Sequence, residues 1–407
     1  MFPSLLQRWV RKGTLVVVLP DGTRQEFGDG DEPRAEWILR DDGVMRSIVR
    51  NPTMNLGETY VDERWDAGGG DLAGLLRVLR SNLEQVVSAS RLPHFLRVGS
   101  ALLTSWNNVR ASLANVSHHY DRDEALFRSF LDDSMHYSCA YFAQAHMTLE
   151  EAQQAKAEHI RRKLCTEPGD RVLDIGCGWG SLGLYLAREG GVQVNGVTLS
   201  KEQLRVAQDE ARRQGLDSRV QFLLEDYRDH RGSYDAVVSV GMLEHVGRRN
   251  LGRFFEVVRE MLSDDGVALI HTIGKTGPPE PVNPWIRRHI FPGGYIPAAS
   301  DLMQAVEASG LVLSDMEVWR RHYAATLREW NRRFQATRDE HKRTLGERGC
   351  RVWEFYLTAC ETAFEVADLV VFQLQLAKRN DRVPLTRDYL HATPKEGPAL
   401  QAAASGS

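Results

Sequence analysis

From residue 159 onward the chain alternates short apolar runs with amphipathic stretches, and this rhythm constrains the fold more than any other feature. The runs are VLDI (172–175), VNGVTL (194–199), VQFLL (220–224), YDAVVSV (234–240) and VALIHTI (267–273). Strands separated by segments of helical period are joined by crossovers rather than hairpins, so they lie parallel with helices on both faces of one sheet. The expected fold class is α/β, with a mostly parallel sheet. After residue 310, LVLSDMEV and LVVFQLQL flank two helical stretches, 323–339 and 351–366, and are expected to add antiparallel edge strands.

At about 150 residues per domain, 407 residues predict two or three domains. Residues 1–80 read as a small α+β unit, with a hairpin in LVVVLPDGTRQEF around Pro20-Asp21-Gly22 and turn signals at Asp41-Asp42-Gly43 and Gly68-Gly69-Gly70. Residues 81–118 read as a helical connector broken at Pro93, residues 119–390 as the larger domain, which holds the alternating pattern, and residues 391–407 as a disordered tail rich in Gly, Ala and Ser. At the N-terminus Phe2, Leu5, Leu6, Trp9 and Val10 share one helical face, beside Arg8, Arg11 and Lys12. Such a helix can lie on an anionic membrane surface or dock on its own domain, the commoner fate of an apolar stripe.

The net charge of −4 argues against a general nucleic-acid binder. Five cysteines, at positions 139, 165, 177, 350 and 360, show neither metal-ligand spacing nor a disulfide framework. They read as reduced thiols in cytoplasm. No apolar run approaches the ~18 residues of a membrane span, and no signal-peptide core opens the chain.

Asp174-Ile-Gly176-Cys-Gly178-Trp-Gly180 follows the strand residues Arg171–Leu173 and opens the helix expected over Leu182–Arg188. Glycines there let a ligand approach the backbone, next to the free N–H groups of a helix start. A dinucleotide fingerprint requires a further glycine where Ser181 stands, which disfavours NAD. The loop instead resembles motif I of the class I S-adenosylmethionine-dependent methyltransferases. Many of these carry an acidic residue at the end of the second strand, where this chain has Gly196-Val-Thr198-Leu-Ser200.

A narrower resemblance rests on a series of motifs in order: Tyr137-Ser-Cys139-Ala-Tyr-Phe142, GVTLSKEQ (196–203), Glu225-Asp-Tyr-Arg228, Gly241-Met-Leu-Glu244-His-Val-Gly247, His271-Thr-Ile-Gly274, FPGGYIP (291–297) and His322-Tyr323. The series resembles that of the cyclopropane fatty acid and mycolic acid cyclopropane synthases and runs from about His119 to Lys378. NLGETYVDERWD (55–66) is similar to the small lipid-binding domain of the branch that modifies bacterial phospholipids. The resemblance implies a class I methyltransferase (Rossmann-like) domain with a mostly parallel seven-stranded sheet, extra helices and a preceding α+β lipid-binding domain.

In that family a cis alkene in an acyl chain attacks the methyl group of S-adenosylmethionine, and the resulting carbocation loses a proton to bound bicarbonate as the ring closes. Such chemistry needs a dry site lined by π faces. The resemblance implies that Cys139, Glu244, His271 and Tyr323 hold bicarbonate. It sets Asp174, Gly176 and Gly178 in the glycine loop, with the two glycines against the aminocarboxypropyl arm, Thr198 and Gln203 near the ribose, Asp226 and Tyr227 at the adenine, and Tyr137 and Ser138 at the methionine end. Tyr120 reads as an aromatic wall beside the sulfonium or as interdomain packing. Singly, Cys139 would read as core and His271 as a satisfied buried histidine; in motif order they read as one site. Glu244 and His245 lack a third ligand at HExxH-like spacing, so no metal is expected. The family turn after His119-Tyr-Asp121 is replaced here by Arg122-Asp-Glu124-Ala125.

The implied partner is membrane phospholipid with unsaturated chains, met by an enzyme peripherally attached to the inner face of the membrane. A homodimer is compatible with the sequence. Trp285–Tyr295 and Trp353–Phe364 are rich in residues suited to an acyl tunnel. The competing readings are the same alkene methylation ending in a methylene or methyl branch, a small-molecule methyltransferase with a polar pocket, and a non-catalytic lipid-binding protein.

Overall fold

The structure, a computed structural model, describes residues 2–89 and 124–391. Tyr120, Arg122, Asp123, most of the 81–118 connector and residues 392–407 lie outside the described residues.

Helix α1 (Phe2–Trp9) precedes strands β1 (Thr14–Val18), β2 (Arg24–Gly28) and β3 (Arg34–Leu39), helices α2 (Val44–Arg50) and α3 (Pro52–Val61), strand β4 (Trp65–Ala67) and helix α4 (Leu72–Ala89). The four strands form a sheet in the order β2-β1-β3-β4. The first two make the expected hairpin, closed where Gly22 N–H donates to Leu19 O. Helix α4 continues without a break past residue 80. On α1 and the residues that follow it, Leu6 and Val10 are buried and Trp9 is half-buried against the core, whereas Arg8, Arg11 and Lys12 are exposed. Of the two fates open to this helix, these described side chains take the docked one, because seven apolar residues of α4 and β1 (Leu72, Leu75, Leu76, Val78, Leu79, Leu15 and Val17) are buried in the same core.

The second half begins with α5 (Glu124–Phe130) and α6 (Leu149–Leu164), then runs β5 (Arg171–Ile175), α7 (Ser181–Gly190), β6 (Gln193–Thr198), α8 (Lys201–Arg213), β7 (Val220–Leu224), β8 (Tyr234–Val240), α9 (Leu251–Met261) and β9 (Leu262–Lys275). It ends with α10 (Pro284–His289), α11 (Ala299–Ser309), β10 (Val312–Trp319), α12 (His322–Ala336), α13 (Arg338–Val366) and β11 (Leu369–Ala377). The seven strands order as β10-β11-β9-β8-β5-β6-β7, with all neighbours from β9 to β7 parallel. Strand β11 is antiparallel to both β9 and β10. Of the two strands expected at the edge, only β10 is there. β11 is inserted between β10 and β9, and its nearly unbroken burial matches a strand covered on both faces.

Chain direction along the sheet reverses between β6 and β8, on either side of β5. In an open α/β sheet this is the switch point, where the loops leaving the carboxyl ends of adjacent strands diverge and leave a crevice. Helix α6, fixed at its start by a reciprocal cap between Thr148 and Glu151, packs beside that crevice.

The long helix α13 carries Gly346 at φ 66°, so it bends there instead of beginning near residue 351. Its following turns receive the N-terminal unit. Arg351, buried, donates to Tyr60 O at 2.7 Å, Trp65 O at 3.1 Å and Asp66 Oδ1 at 2.7 Å. Gly57 allows Trp285 and Phe355 to close over it, since a Cβ there would stand 2.6 Å from the indole Nε1. One hydrophobic core therefore runs from Leu6 through Trp37 and Trp65 to Trp285, Trp330 and Trp353.

Candidate active site

The crevice is a cleft of about 1140 Å³ including its open mouth, room enough for a nucleoside-sized ligand. All nine residues assigned above to the cofactor line it: Tyr137, Ser138, Asp174, Gly176, Gly178, Thr198, Gln203, Asp226 and Tyr227. Gly176, Gly178 and Gly180 have φ of 80°, 54° and 86°, values that L side chains seldom adopt. A Cβ on Gly178 would meet no protein atom within 4 Å. Because Gly178 lines the cleft, that open space is where a ligand can touch backbone. A Cβ on Gly176 would instead lie 2.6 Å from Met242 Cγ.

Asp174 is buried at the end of β5 with Oδ2 lacking a partner among the described residues, and burial raises its carboxyl to about 7 against the opposing pull of Lys156. A buried, unpartnered acceptor beside a backbone cradle fits an amino-acid arm bearing an ammonium group. Thr198 Oγ1 donates to Gln203 Oε1 at 3.1 Å, which orients the amide NH₂ of Gln203 at the cleft wall that lacks an acidic residue. Asp226 is gripped by Arg228, whose Nε and NH2 donate at 2.8 and 2.6 Å. The residues present therefore fit S-adenosylmethionine.

Sequence reasoning assigned no role to Lys156, Trp179, Arg228, Met242 or His245, all of which line the cleft. Four of them stand within motifs already quoted, so their signal was present. Lys156 had no local signal: it projects from the middle of α6 and reaches the site only through the fold. Its ammonium is buried and donates to Ser138 Oγ at 2.9 Å. Burial lowers it to about 8, offset by Asp132, Cys139 and Asp174. From the same helix, Gln153 Nε2 donates to the carbonyls of His136 and Ser138 at 3.2 and 2.9 Å, pinning the segment that carries Tyr137, Ser138 and Cys139.

Cys139 follows directly after two cleft residues but is itself fully buried, and burial pushes its thiol up. Tyr323, at the start of α12, faces Tyr137, Cys139, Glu244 and Cys360, and its phenol is pushed up by burial first and by those neighbours next. Glu244 sits in a short helical turn after β8. Its Oε1 accepts from Ile273 N–H at 2.5 Å, its Oε2 has no partner among the described residues, and burial raises it to about 7. His271 lies two residues before Ile273 on β9, on the same face of that strand, and burial lowers it to about 3. Cys139 and Glu244 thus each lie within electrostatic reach of Tyr323, with His271 two residues from the Ile273 N–H that Glu244 accepts. No hydrogen bond joins any two of the four.

Around them stands an aromatic wall. Tyr137 stacks on Trp330 with ring centres 5.1 Å apart, its hydroxyl lies 2.8 Å from that of Tyr356, and Tyr323 packs against Trp330 and Phe364. Only part of the expected acyl lining is here. Tyr356 and Phe364 face the cluster, but Trp285 packs beneath the N-terminal unit, and Tyr295 donates to Asp301 Oδ2 at 2.6 Å in a separate core. The tertiary path of the stretch turns Trp285 and Tyr295 away, but Phe291 meets Tyr356 edge to face with ring centres 5.8 Å apart.

The strand order, the switch-point cleft and the glycine cradle define a class I S-adenosylmethionine-dependent methyltransferase. Comparison narrows this: the family described as mycolic acid cyclopropane synthetase matches residues 107–374, and a domain of unknown function matches residues 2–91. The chain belongs to the mycolic acid cyclopropane synthetase family. It is 38% identical over 354 residues to the cyclopropane-fatty-acyl-phospholipid synthase of Escherichia coli (strain K12), covering 86% of this chain and 89% of that one. Among solved structures, the cyclopropane synthase MmaA2 from Mycobacterium tuberculosis is 33% identical, with a TM-score of 0.63, covering 67% of this chain and all of that one. Mycolic acid cyclopropane synthase CmaA1, complexed with SAH and CTAB, is 33% identical with a TM-score of 0.62, covering 65% of this chain and 97% of that one.

Proposed function

We propose that this enzyme adds the methyl carbon of S-adenosylmethionine across the cis double bond of an unsaturated phospholipid acyl chain and closes a cyclopropane ring. The observation that carries the reading is the shared wall: Tyr137 and Ser138 line the cofactor cleft, and the next residue, Cys139, belongs to the buried cluster with Tyr323 and Glu244. A methyl donor in the cleft and a base in the cluster would then act on opposite sides of one short segment.

When bound, S-adenosylmethionine would supply an electrophilic methyl group: the alkene π pair would form the new carbon–carbon bond as the carbon–sulfur bond breaks, and S-adenosylhomocysteine would leave with that bond's electron pair. The acyl chain is left with a positive charge, which the faces of Tyr137, Tyr323 and Trp330 can stabilise without trapping it. A proton must then leave the new methyl group so that its C–H pair closes the ring. The open polar groups suit a small anion with one O–H. Glu244 Oε2 has no partner, and Tyr323 Oη and His271 Nε2 make no hydrogen bond among the described residues. Cys139, Glu244, His271 and Tyr323 would hold bicarbonate, a compact base, with Glu244 accepting from its hydroxyl. The 2–91 unit serves as the lipid-contacting domain in this reading.

Lipids from bacterial cells expressing the chain are expected to gain one CH₂ per converted double bond, read by mass spectrometry. Resistance to mild hydrogenation and ring-specific fragmentation distinguish a ring from a branch. Unchanged lipids with the protein present and folded would refute the proposal.

The enzyme is further proposed to act as a peripheral protein on anionic membranes. No helix of the described residues is long and apolar enough to cross one. With Leu6 and Val10 docked, the exposed Arg8 of α1 and Arg11 and Lys12 just after it remain as the contact. At ~1 kcal/mol for each basic residue, reversing all three to glutamate should weaken sedimentation with anionic vesicles by ~10²-fold or more. Equal sedimentation would remove this helix from the membrane contact.

A further inference from the structure

Behind the base site lies a chain of buried polar groups that no motif revealed. His271 Nδ1 is 3.1 Å from Gln373 Nε2, and the two residues are cross-strand neighbours on β9 and β11. The other end of the Gln373 amide, Oε1, accepts from Lys163 Nζ at 2.9 Å. Lys163 also donates to Glu317 Oε2 at 2.5 Å, and His159 Nε2 lies 2.7 Å from the same oxygen. Gln373 and Lys163 are wholly buried and His271 nearly so.

The chemistry of these groups leaves one arrangement. An ammonium has three donors and no acceptor, so Lys163 must face the amide oxygen, and the Gln373 NH₂ must face His271. That NH₂ can only donate, so Nδ1 must be the bare acceptor. A neutral imidazole with a bare Nδ1 carries its proton on Nε2. The Nε2–H in turn makes no hydrogen bond among the described residues. Glu317, accepting from Lys163 and facing His159, keeps the ammonium in place.

We propose that Lys163 and Gln373 are positioning residues that lock His271 as the neutral Nε2–H tautomer, so that it presents a donor to the base site. The inference rests on the assignment of His271 to that site under Proposed function. Without the lock, a neutral ring could present a bare nitrogen to an anion and repel it.

The test uses the full-length enzyme with ¹⁵N-labelled histidine, and three variants. Gln373→Glu keeps the shape and the bond from Lys163 but offers His271 only an acceptor. Gln373→Met removes the donor. Lys163→Met frees the amide to turn over. In wild type, the ¹⁵N shifts of His271, identified by its loss in His271→Gln, should report Nε2–H. In Gln373→Glu they should move to Nδ1–H or the imidazolium, and turnover should fall by about 10- to 100-fold, the usual cost of losing a group that orients a functional imidazole. The bicarbonate concentration for half-maximal rate should rise while the KM for S-adenosylmethionine holds.

Should Gln373→Glu fail to fold, the two methionine variants carry the same expectations of mixed tautomers and reduced turnover. An Nδ1–H signal in wild type, or full turnover in a variant whose tautomer has changed, would overturn the proposal. The tautomer signal needs no substrate. Its presence in an enzyme indifferent to bicarbonate would therefore sink the base-site reading while leaving the lock itself standing.

Discussion

Replacing Glu244 with glutamine is expected to lower turnover by ~10²-fold or more, the scale of a positioned acid–base group, while affinity for S-adenosylmethionine changes little. The side chain lines no part of the cofactor cleft, but its buried Oε2 has no partner among the described residues, and the carboxyl lies within electrostatic reach of Tyr323. A carboxylate in direct contact with an alkyl cation could form an ester with it; an intervening bicarbonate would take the proton instead. Glutamine keeps the shape and can still accept from Ile273 N–H, but it puts a neutral amide where the anion's hydroxyl would donate. Added bicarbonate should stimulate depleted wild-type enzyme far more than the variant. Full activity after depletion, or an unimpaired Glu244→Gln enzyme, would end the assignment.

The same residue should shape the pH profiles. Burial holds the Glu244 carboxyl near 7, above its ordinary value of 4.5, so it is neutral in mildly acidic solution. Turnover should climb as pH rises through about 7, and that limb should vanish in Glu244→Gln. Stability runs the other way. Between about 4.5 and 7 the folded chain holds a proton that the unfolded chain has released, so folding stability falls as pH rises across this window. Glu244→Gln should flatten that decline in urea titrations.

The second large effect belongs to Gly178. Valine there should weaken S-adenosylmethionine binding by about 100-fold or more, about 2.8 kcal/mol in binding free energy. With no protein atom within 4 Å of the added Cβ, the side chain would enter the cleft itself, and at φ 54° a β-branched residue also strains the loop. Gly178→Ala, with a smaller intrusion at the same φ, should bind between the two. Gly176 makes a poorer probe, because its Cβ would displace Met242 from the wall. Calorimetry on folded Gly178→Val with unchanged affinity would remove the loop from the site.

Much of this was legible in one dimension. The βα rhythm sets the parallel strands, because each apolar run is too short to be anything but a strand and each intervening stretch has helical period. The glycine loop marks the cleft, because a close backbone approach needs residues tolerant of positive φ at Gly176, Gly178 and Gly180. Those are local requirements, and local requirements leave local signatures. The motif series likewise named Glu244, His271 and Tyr323, though it had no means of showing which side chains would meet.

What the tertiary structure alone decided concerns groups whose role depends on partners far along the chain. The apolar stripe at the N-terminus could serve a membrane or a core, and only the packing of α4 against α1 put Leu6 and Val10 in the core. The rings of 285–295 suited a tunnel by composition, yet only Phe291 reaches Tyr356 beside the cluster, while Trp285 closes over Gly57 of the N-terminal unit and Tyr295 enters a second core. Lys156 and Lys163 look like ordinary charged positions on an amphipathic helix. They become buried cations only because α6 lies between the 136–139 segment and the β9–β11 pair, where Ser138 and Gln373 receive them. A sequence shows which groups a chain can offer, but the burial of a charge is set by what packs around it, and for these two lysines that is decided by residues as distant as Gln373.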